Sequence, residues 1–516
     1  MSTARARWCW RCPTAAAAAS PRATCSSPAP PEMSELLFLP LGGSGEIGMN
    51  LNLYGCDGRW LMVDCGVTFP GDDMPGVDSI LPDPRFIAER RKQLVGLVLT
   101  HGHEDHLGAV AWLWPKLGCP VYATPFTAAL LKRKLVERNL IKDVKLHLVE
   151  PGKTLKLGPF AVDYVGITHS IPESHSLAIR TRHGTVLHTG DWKLDPEPLV
   201  GPPTDAAAFE RLGQEGVLAL VCDSTNALSP GTSGSEGALR QSLIELVARE
   251  TRRVCITTFA SNVARIDTVA KVAAATGRRL CVVGRSLWRI LECARETGYL
   301  QDLPELLHED EVGYLPPGDV LFLVTGCQGE PRGALSRIAY GEHRHVGLKR
   351  GDLVIFSSRQ IPGNERRIGQ VVNRLAADDI RVVTWSDAFV HVSGHPCQDE
   401  LRRYYAWARP RIAVPVHGEI RHLKRHVELA REAGVSETVL IENGAMVRLA
   451  PGPAEIVDRV PSGRLLVEGS RIHGDDAGPL RARKRAAFNG ALVAAVALDH
   501  NDELAAPVRL SALGLF

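Results

Sequence analysis

Residues 101–106 read His101-Gly102-His103-Glu104-Asp105-His106 and follow directly on the apolar run Leu94-Val95-Gly96-Leu97-Val98-Leu99. Imidazoles and a carboxylate crowded at a strand end repel once charged and leave lone pairs to satisfy. A bound cation removes both problems. Imidazole nitrogen and carboxylate oxygen suit zinc, and the spacing puts His101 and His103 on one side of a turn, with Asp105 and His106 on the other. This suggests two metals sharing one site, a tool for hydrolysing phosphate esters or amides. A single histidine is ordinarily a satisfied core or surface residue. A whole H-x-H-x-D-H behind an apolar strand is hard to explain that way.

The remaining ligands are expected downstream, each at the end of a strand. His169, Asp191, Asp223, His391 with His395, and His417 stand there, and Asp64 stands at a strand end upstream. Residues at the carboxyl ends of strands collect on one edge of a sheet, where ligands bind in α/β folds.

The elements that must position them alternate short apolar runs with Gly-rich turns. Leu36 to Leu39, Leu51 to Tyr54, Trp60 to Val63, Leu97 to Thr100, Val121 to Ala123, Ala161 to Val165, Leu177 to Thr181 and Val186 to His188 read as strands. Leu107 to Leu117 and Pro125 to Asn139 read as helices. The rhythm then changes. Val217 to Cys222, Val254 to Thr258, Leu280 to Val283, Val320 to Thr325, Leu353 to Phe356 and Ile380 to Val383 are near-continuous apolar runs, several of them separated by helical segments. Strands buried on both faces with helical crossovers make a parallel sheet. A Rossmann-like unit over 205–385 is therefore expected as an insertion between two parts of a first α/β domain, 33–204 and 386–455.

At 516 residues, with 45% hydrophobic and 23% charged residues and a net charge of +2, the chain has an ordinary globular composition with no bulk basic signal for nucleic acid. No apolar stretch approaches the ~20 residues needed to span a bilayer. The twelve cysteines are scattered, many inside apolar runs, as expected of reduced thiols in a cytoplasmic protein. Cys9-x-x-Cys12 has no second pair at zinc-finger spacing. Residues 1–32 hold several arginines and an alanine run, with no acid before Glu32. They are read as a disordered, dispensable extension ahead of a start at Met33, with a transit peptide as the alternative.

The motifs resemble those of the metallo-β-lactamase superfamily, an αββα sandwich. The insertion resembles the β-CASP group of nucleases, and the chain as a whole the ribonuclease J family. Pro40 to Asn50 (PLGGSGEIGMN), Thr168 to Ser174 (THSIPES), His188 to Lys193 (HTGDWK), Asp223 to Ala227 (DSTNA), Gly329-Glu330-Pro331, His391 to His395 (HVSGH) and Pro415 to Glu419 (PVHGE) carry the likeness over about residues 35–460.

The resemblance implies a zinc-dependent ribonuclease with 5′-to-3′ exonuclease activity, preferring a 5′-monophosphate, and with endonuclease activity, acting on single-stranded RNA. His101, His103 and His169 would hold one zinc. Asp105, His106 and His417 would hold the other, and Asp191 would bridge; manganese or magnesium are alternatives. Asp105, Asp191 and His395 are the catalytic candidates, His395 as general acid or phosphate clamp. His391, Ser393, Gly394 and His395, with Arg285 and Ser286, are candidates for binding phosphate. Asp64 and Asp223 would orient ligand histidines. Cys327 stands where a serine is expected and is not read as catalytic. His175, His183 and His188 are read as structural, and His422 with His426 as a solvated basic face near RNA.

The family's dimer or tetramer uses a further C-terminal domain, for which 456–516 looks short. RNA-decay partners would belong to the same reading. Competing readings are a β-CASP nuclease acting on DNA, a small-molecule hydrolase of the same fold, and a non-catalytic RNA-binding module.

Overall fold

The computed structural model describes residues 35–475 and 478–514. The expectations for residues 1–32, including Cys9 and Cys12, lie outside the described residues.

Leu36–Gly42 shows how the layers form. Side chains alternate across a strand. Leu36 and Phe38 enter one apolar cluster, whereas Leu37, Leu39 and Leu41 enter another. Both faces are covered, so the strand reads as an unbroken apolar run. Its sheet has eight strands, in the order 455–459, 445–450, 36–42, 51–56, 59–63, 94–98, 121–123 and 146–148. A second sheet of seven runs 437–438, 412–416, 217–223, 184–188, 175–181, 160–166 and 155–157. The two share a core that includes Phe38, Tyr54, Val98, Val162, Leu177, Val221 and Val414. Val110–Leu117 and Pro125–Glu137 cover the outer face of the first sheet. Ala206–Glu215, Gln398–Ala408 and Ile420–Glu432 cover that of the second. The result is a helix–sheet–sheet–helix sandwich.

The insertion is a six-stranded, wholly parallel sheet in the order 306–307, 279–283, 320–324, 254–257, 353–356 and 381–383. Val217–Asp223 was expected to belong to it. Instead it lies between 184–188 and 412–416, parallel to both, in the sandwich. A parallel strand covered on both faces gives the same apolar signal in either sheet, which is why the sequence alone misplaced it. The expected helix over 107–117 divides into Glu104–Leu107 and Val110–Leu117. The helix Gln398–Ala408 was not anticipated.

The C-terminal segment returns to the sandwich. Arg464–Glu468 pairs antiparallel with Ser79–Pro82, and Glu455–Arg459 with Ala445–Ala450. The nine described cysteines are all free and buried. Among the described residues no helix is long and apolar enough to cross a membrane.

Candidate metal centre

Six strands of the sandwich deliver their carboxyl ends to one edge. Asp64 follows 59–63, His101 follows 94–98, His169 follows 160–166, Asp191 follows 184–188, Asp223 ends 217–223 and His417 follows 412–416. Two of these residues take a left-handed backbone conformation that is unusual outside glycine, Asp64 at φ 61° and His417 at φ 52°. Contacts hold both. The Asp64 carboxylate accepts from Thr100 N and Thr100 Oγ1, each at 2.8 Å, and from His106 Nδ1 at 2.7 Å. His417 N donates to Gly43 O. Gly66 permits the approach of the ligand turn, since a Cβ there would lie 1.7 Å from Asp105 O.

The structure brings the predicted ligands together in two overlapping groups, His101–His103–His169–Asp191 and Asp105–His106–Asp191–His417. In each group the ligand atoms lie within 4.8 Å of one another, and Asp191 belongs to both. Outer hydrogen bonds set the ring tautomers. His169 Nδ1 is 2.6 Å from Gly394 O, which can only accept, so Nδ1 carries the proton. His417 Nδ1 likewise donates to Asn50 Oδ1 at 3.0 Å, and His106 Nδ1 to Asp64. Thr100 Oγ1 has given its proton to Asp64, so His101 Nδ1, 3.0 Å away, is the donor to it.

His101, His169 and His417 therefore turn a bare Nε2 inward, as metal-ligating histidines do when the other ring nitrogen is bound, whereas His106 Nε2 lies 3.1 Å from Asp191 Oδ1 and 3.2 Å from Asn50 Nδ2. Imidazole nitrogens then crowd one another. His101 Nε2 and His169 Nε2 lie 3.2 and 3.1 Å from His103 Nδ1. His417 Nε2 lies 3.5 Å from Asp191 and 3.6 Å from Asp105. His417 Nε2 and Asp191 Oδ1 are buried with no hydrogen-bond partner. Imidazole and carboxylate lone pairs converging in one buried place are what a cation satisfies, so the residues present fit metal.

Electrostatics divide the cluster. Burial, helped by the neighbouring histidines, holds His101 and His169 well below the ordinary imidazole range. Burial holds His103 down to about 4, against the pull of Asp105 and Asp191. At His106 burial acts downward, but Asp191, Asp105 and Asp64 outweigh it and raise the ring. Three carboxylates thus make this half of the cluster favour positive charge.

Beside the cluster, His395 Nδ1 sits 2.8 Å from Asp223 Oδ2 and 3.8 Å from Asp191. Burial acts downward here as well, yet Asp223 and Asp191 lift His395 to about 9, which favours its protonated form. Ser393 Oγ accepts from Asn226 Nδ2 at 2.7 Å and from His395 N at 3.1 Å, which leaves its own proton to donate. A Cβ at Gly394 would meet His169 Cε1 at 2.8 Å. His391 bonds to the backbone of Ser357, and its Nδ1 is buried without a partner.

Arg285 and Ser286 do not join this group. Both are exposed at the start of the helix Arg285–Glu296, and Arg285 lines a surface cavity with Arg133, Glu137 and Trp288. The site lies at the other end of the helix Pro125–Glu137, where Phe126 N donates to Glu173. That end is about 20 Å away at 1.5 Å per residue.

His422 and His426 do not form a solvated face, since both are buried. His426 bonds Ser224 Oγ at 2.8 Å and Tyr405 OH at 2.9 Å. Cys327 is buried, and burial pushes its thiol up to about 12, leaving no thiolate for nucleophilic chemistry. Asn50 and Asn226 were missed as site residues. Both lie inside quoted motifs, but an asparagine far away in sequence carries no local sign of which ring it will hold.

Comparison with known families agrees with this architecture. Residues 52–257 match the metallo-beta-lactamase superfamily, 251–375 the ribonuclease J beta-CASP domain, and 379–441 the Zn-dependent metallo-hydrolase RNA specificity domain. A layered sandwich with this ligand edge, interrupted by that insertion, defines a metal-dependent hydrolase of the β-CASP nuclease class. Curated relatives called ribonuclease J resemble the chain over most of its length. That of Sinorhizobium meliloti is 49% identical over 470 residues, covering 90% of this chain and 83% of the relative. That of Mycolicibacterium smegmatis is 44% identical over 452 residues, covering 87% and 80%. The chain belongs to the ribonuclease J family. A solved structure from Enterococcus faecalis, a protein of unknown function, shares the fold with a TM-score of 0.57 at 18% identity, covering 80% of this chain and all of that one.

Proposed function

We propose that the chain is a two-metal ribonuclease that trims single-stranded RNA from a 5′-monophosphate end and also cuts internally. Asp191 carries the reading, because it is the one carboxylate common to both ligand groups. His101, His103 and His169 are assigned to one zinc, and Asp105, His106 and His417 to the other, with Asp191 between. Manganese or magnesium are the alternatives. Bound cations would supply hydroxide at neutral pH and offset charge at phosphorus.

The protein's own groups do the rest. His395, held as an imidazolium by Asp223, donates its proton to the departing 3′ oxygen. Asp64 fixes the His106 ring. The Ser393 hydroxyl and the backbone at Gly394 receive the terminal phosphate, with His391 assigned to the same turn. The family reading also places the enzyme in the cytoplasm, as an oligomer with RNA-decay partners.

The test uses one internally labelled RNA, prepared as 5′-monophosphate and as 5′-triphosphate, incubated with protein and zinc or manganese. Mononucleotides released mainly from the monophosphate substrate are expected, together with internal fragments. Absence of RNA cleavage overturns the proposal and directs attention to single-stranded DNA. Asp105→Ala is expected to abolish hydrolysis and lower the metal content. Full activity in that variant overturns the two-metal assignment.

A further inference from the structure

Trp385 and Phe389 expose 49% and 47% of their surface, five residues and one residue before the buried Val390 that leads into the 391–395 turn. Large aromatic rings left open to water beside a polar site call for a reason. Arg359 lies over Trp385, with its guanidinium carbon 5.3 Å from the ring centroid. The two residues follow adjacent strands of the inserted sheet, 353–356 and 381–383, at their carboxyl ends. At strand 254–257 that edge reaches the metal centre. Ala264 N, beyond strand 254–257, donates to Ser170 O next to His169. Ser357 Oγ donates to Val390 O at 2.7 Å. Chain length alone keeps Trp385 within about 20 Å of His391.

The platform is built, not floppy. The buried Gln328 amide donates to Arg359 O at 2.9 Å and accepts from Ile361 N at 2.9 Å and Asn364 Nδ2 at 3.2 Å. The Trp385 turn is closed by Thr384 N and Thr384 Oγ1, which donate to Asp387 Oδ2 at 2.8 and 2.7 Å. The Gly326-Cys327-Gln328 segment thus fixes the loop that carries Arg359.

We infer that Trp385, Phe389 and Arg359 form a stacking platform for nucleobases of the single-stranded RNA whose phosphate occupies the 391–395 turn. This rests on the ribonuclease reading. Aromatic faces and guanidinium planes take up unstacked bases with little regard to sequence. Arg359 adds the cation that a polyanionic strand requires. Duplex bases remain stacked on one another and cannot use the platform, so it selects single strands.

The test measures binding of a short 5′-monophosphorylated RNA with phosphorothioate linkages, intact or with successive single bases removed. Wild type should lose affinity when certain bases near the 5′ end are missing. Trp385→Ala should bind the intact strand about 5-fold or more weakly, given ~1–3 kcal/mol per stacked base, and should no longer distinguish those abasic strands. Trp385→Phe should restore the discrimination, which a merely structural tryptophan would not require.

Trp385→Ala binding intact RNA as wild type does, or discriminating abasic strands as wild type does, overturns the platform. Cleavage of ordinary RNA by wild type is the separate arm. Its absence overturns the ribonuclease reading and the platform with it. Cleavage together with unaltered discrimination in Trp385→Ala overturns the platform alone.

Discussion

Asn50 Oδ1 accepts a hydrogen bond from His417 Nδ1 at 3.0 Å, across 367 residues of sequence. The same amide donates from Nδ2 to Asp105 O at 3.1 Å. One buried side chain thus fixes a ring from the second half of the sandwich and the ligand turn from the first. Partners of this kind are worth about 10- to 100-fold in metal affinity. Asn50→Ala is expected to weaken one metal position by that factor, measured by competition with a chromophoric chelator. Asn50→Asp keeps the acceptor and loses the donor, so it should fall between. Wild-type affinity in Asn50→Ala would remove the asparagine from the site.

Asp223 and His395 make a prediction about pH. Asp223 heads the upward pull that holds His395 near 9 against burial. With Asp223→Asn that pull weakens, and the ring must lose its proton at lower pH. If His395 works as the acid, the alkaline fall of the rate moves to lower pH in Asp223→Asn, and the deficit against wild type grows as pH rises. His395→Ala should lose about 10²- to 10⁴-fold in kcat with its metal content unchanged. Superimposable pH profiles for Asp223→Asn and wild type would rule out this role.

The candidate ligand set was legible because strand ends are legible. An apolar run followed at once by His101, His169, Asp191 or His417 announces both the strand and the edge. What could not be read was partnership between distant segments. His426 follows His417 by nine positions on a helix whose exposed face is basic, and nothing local shows that Ser224 and Tyr405 enclose it. Arg285 opens a helix after a parallel strand, the position where phosphate often binds, but that end of its helix packs beside Glu137 and not beside the metal ligands. Val217–Asp223 was recognised as a covered parallel strand and given to the wrong sheet, since apolar patterning reports coverage and not neighbours.

Buried neutral histidines tie stability to pH. Burial holds His426 and His175 each down to about 4, against 6.5 for an exposed imidazole. Between these values the unfolded chain takes up protons that the native rings refuse, so stability is complete above 6.5 and falls as pH drops toward 4. Each histidine costs about 1.4 kcal/mol per pH unit over that window, or roughly 2 kcal/mol at pH 5. His426→Gln should lose some stability at pH 7 but show a shallower acid dependence in urea unfolding. Equal acid slopes for variant and wild type would contradict the assignment.

Arg265 is fully buried in the insertion and joins it to the metal edge. Its Nε and Nη2 donate to Glu236 at 3.2 and 3.1 Å, and its Nη1 donates to Ser357 O at 2.7 Å. Glu236 N in turn donates to Asp195, whose carboxylate pairs with the buried Lys193 at 2.8 Å, two residues beyond Asp191. Removing one member of a buried ion pair leaves the other charge uncompensated and costs about 3–5 kcal/mol, whereas replacing both with apolar side chains is often close to neutral. Arg265→Leu should therefore lower the denaturation midpoint sharply. The double variant Arg265→Leu with Glu236→Leu should recover part of that loss, although the Ser357 carbonyl then loses its donor. A double variant less stable than Arg265→Leu alone would show that the pair contributes more by its hydrogen bonds to the neighbouring loops than its charges cost to bury.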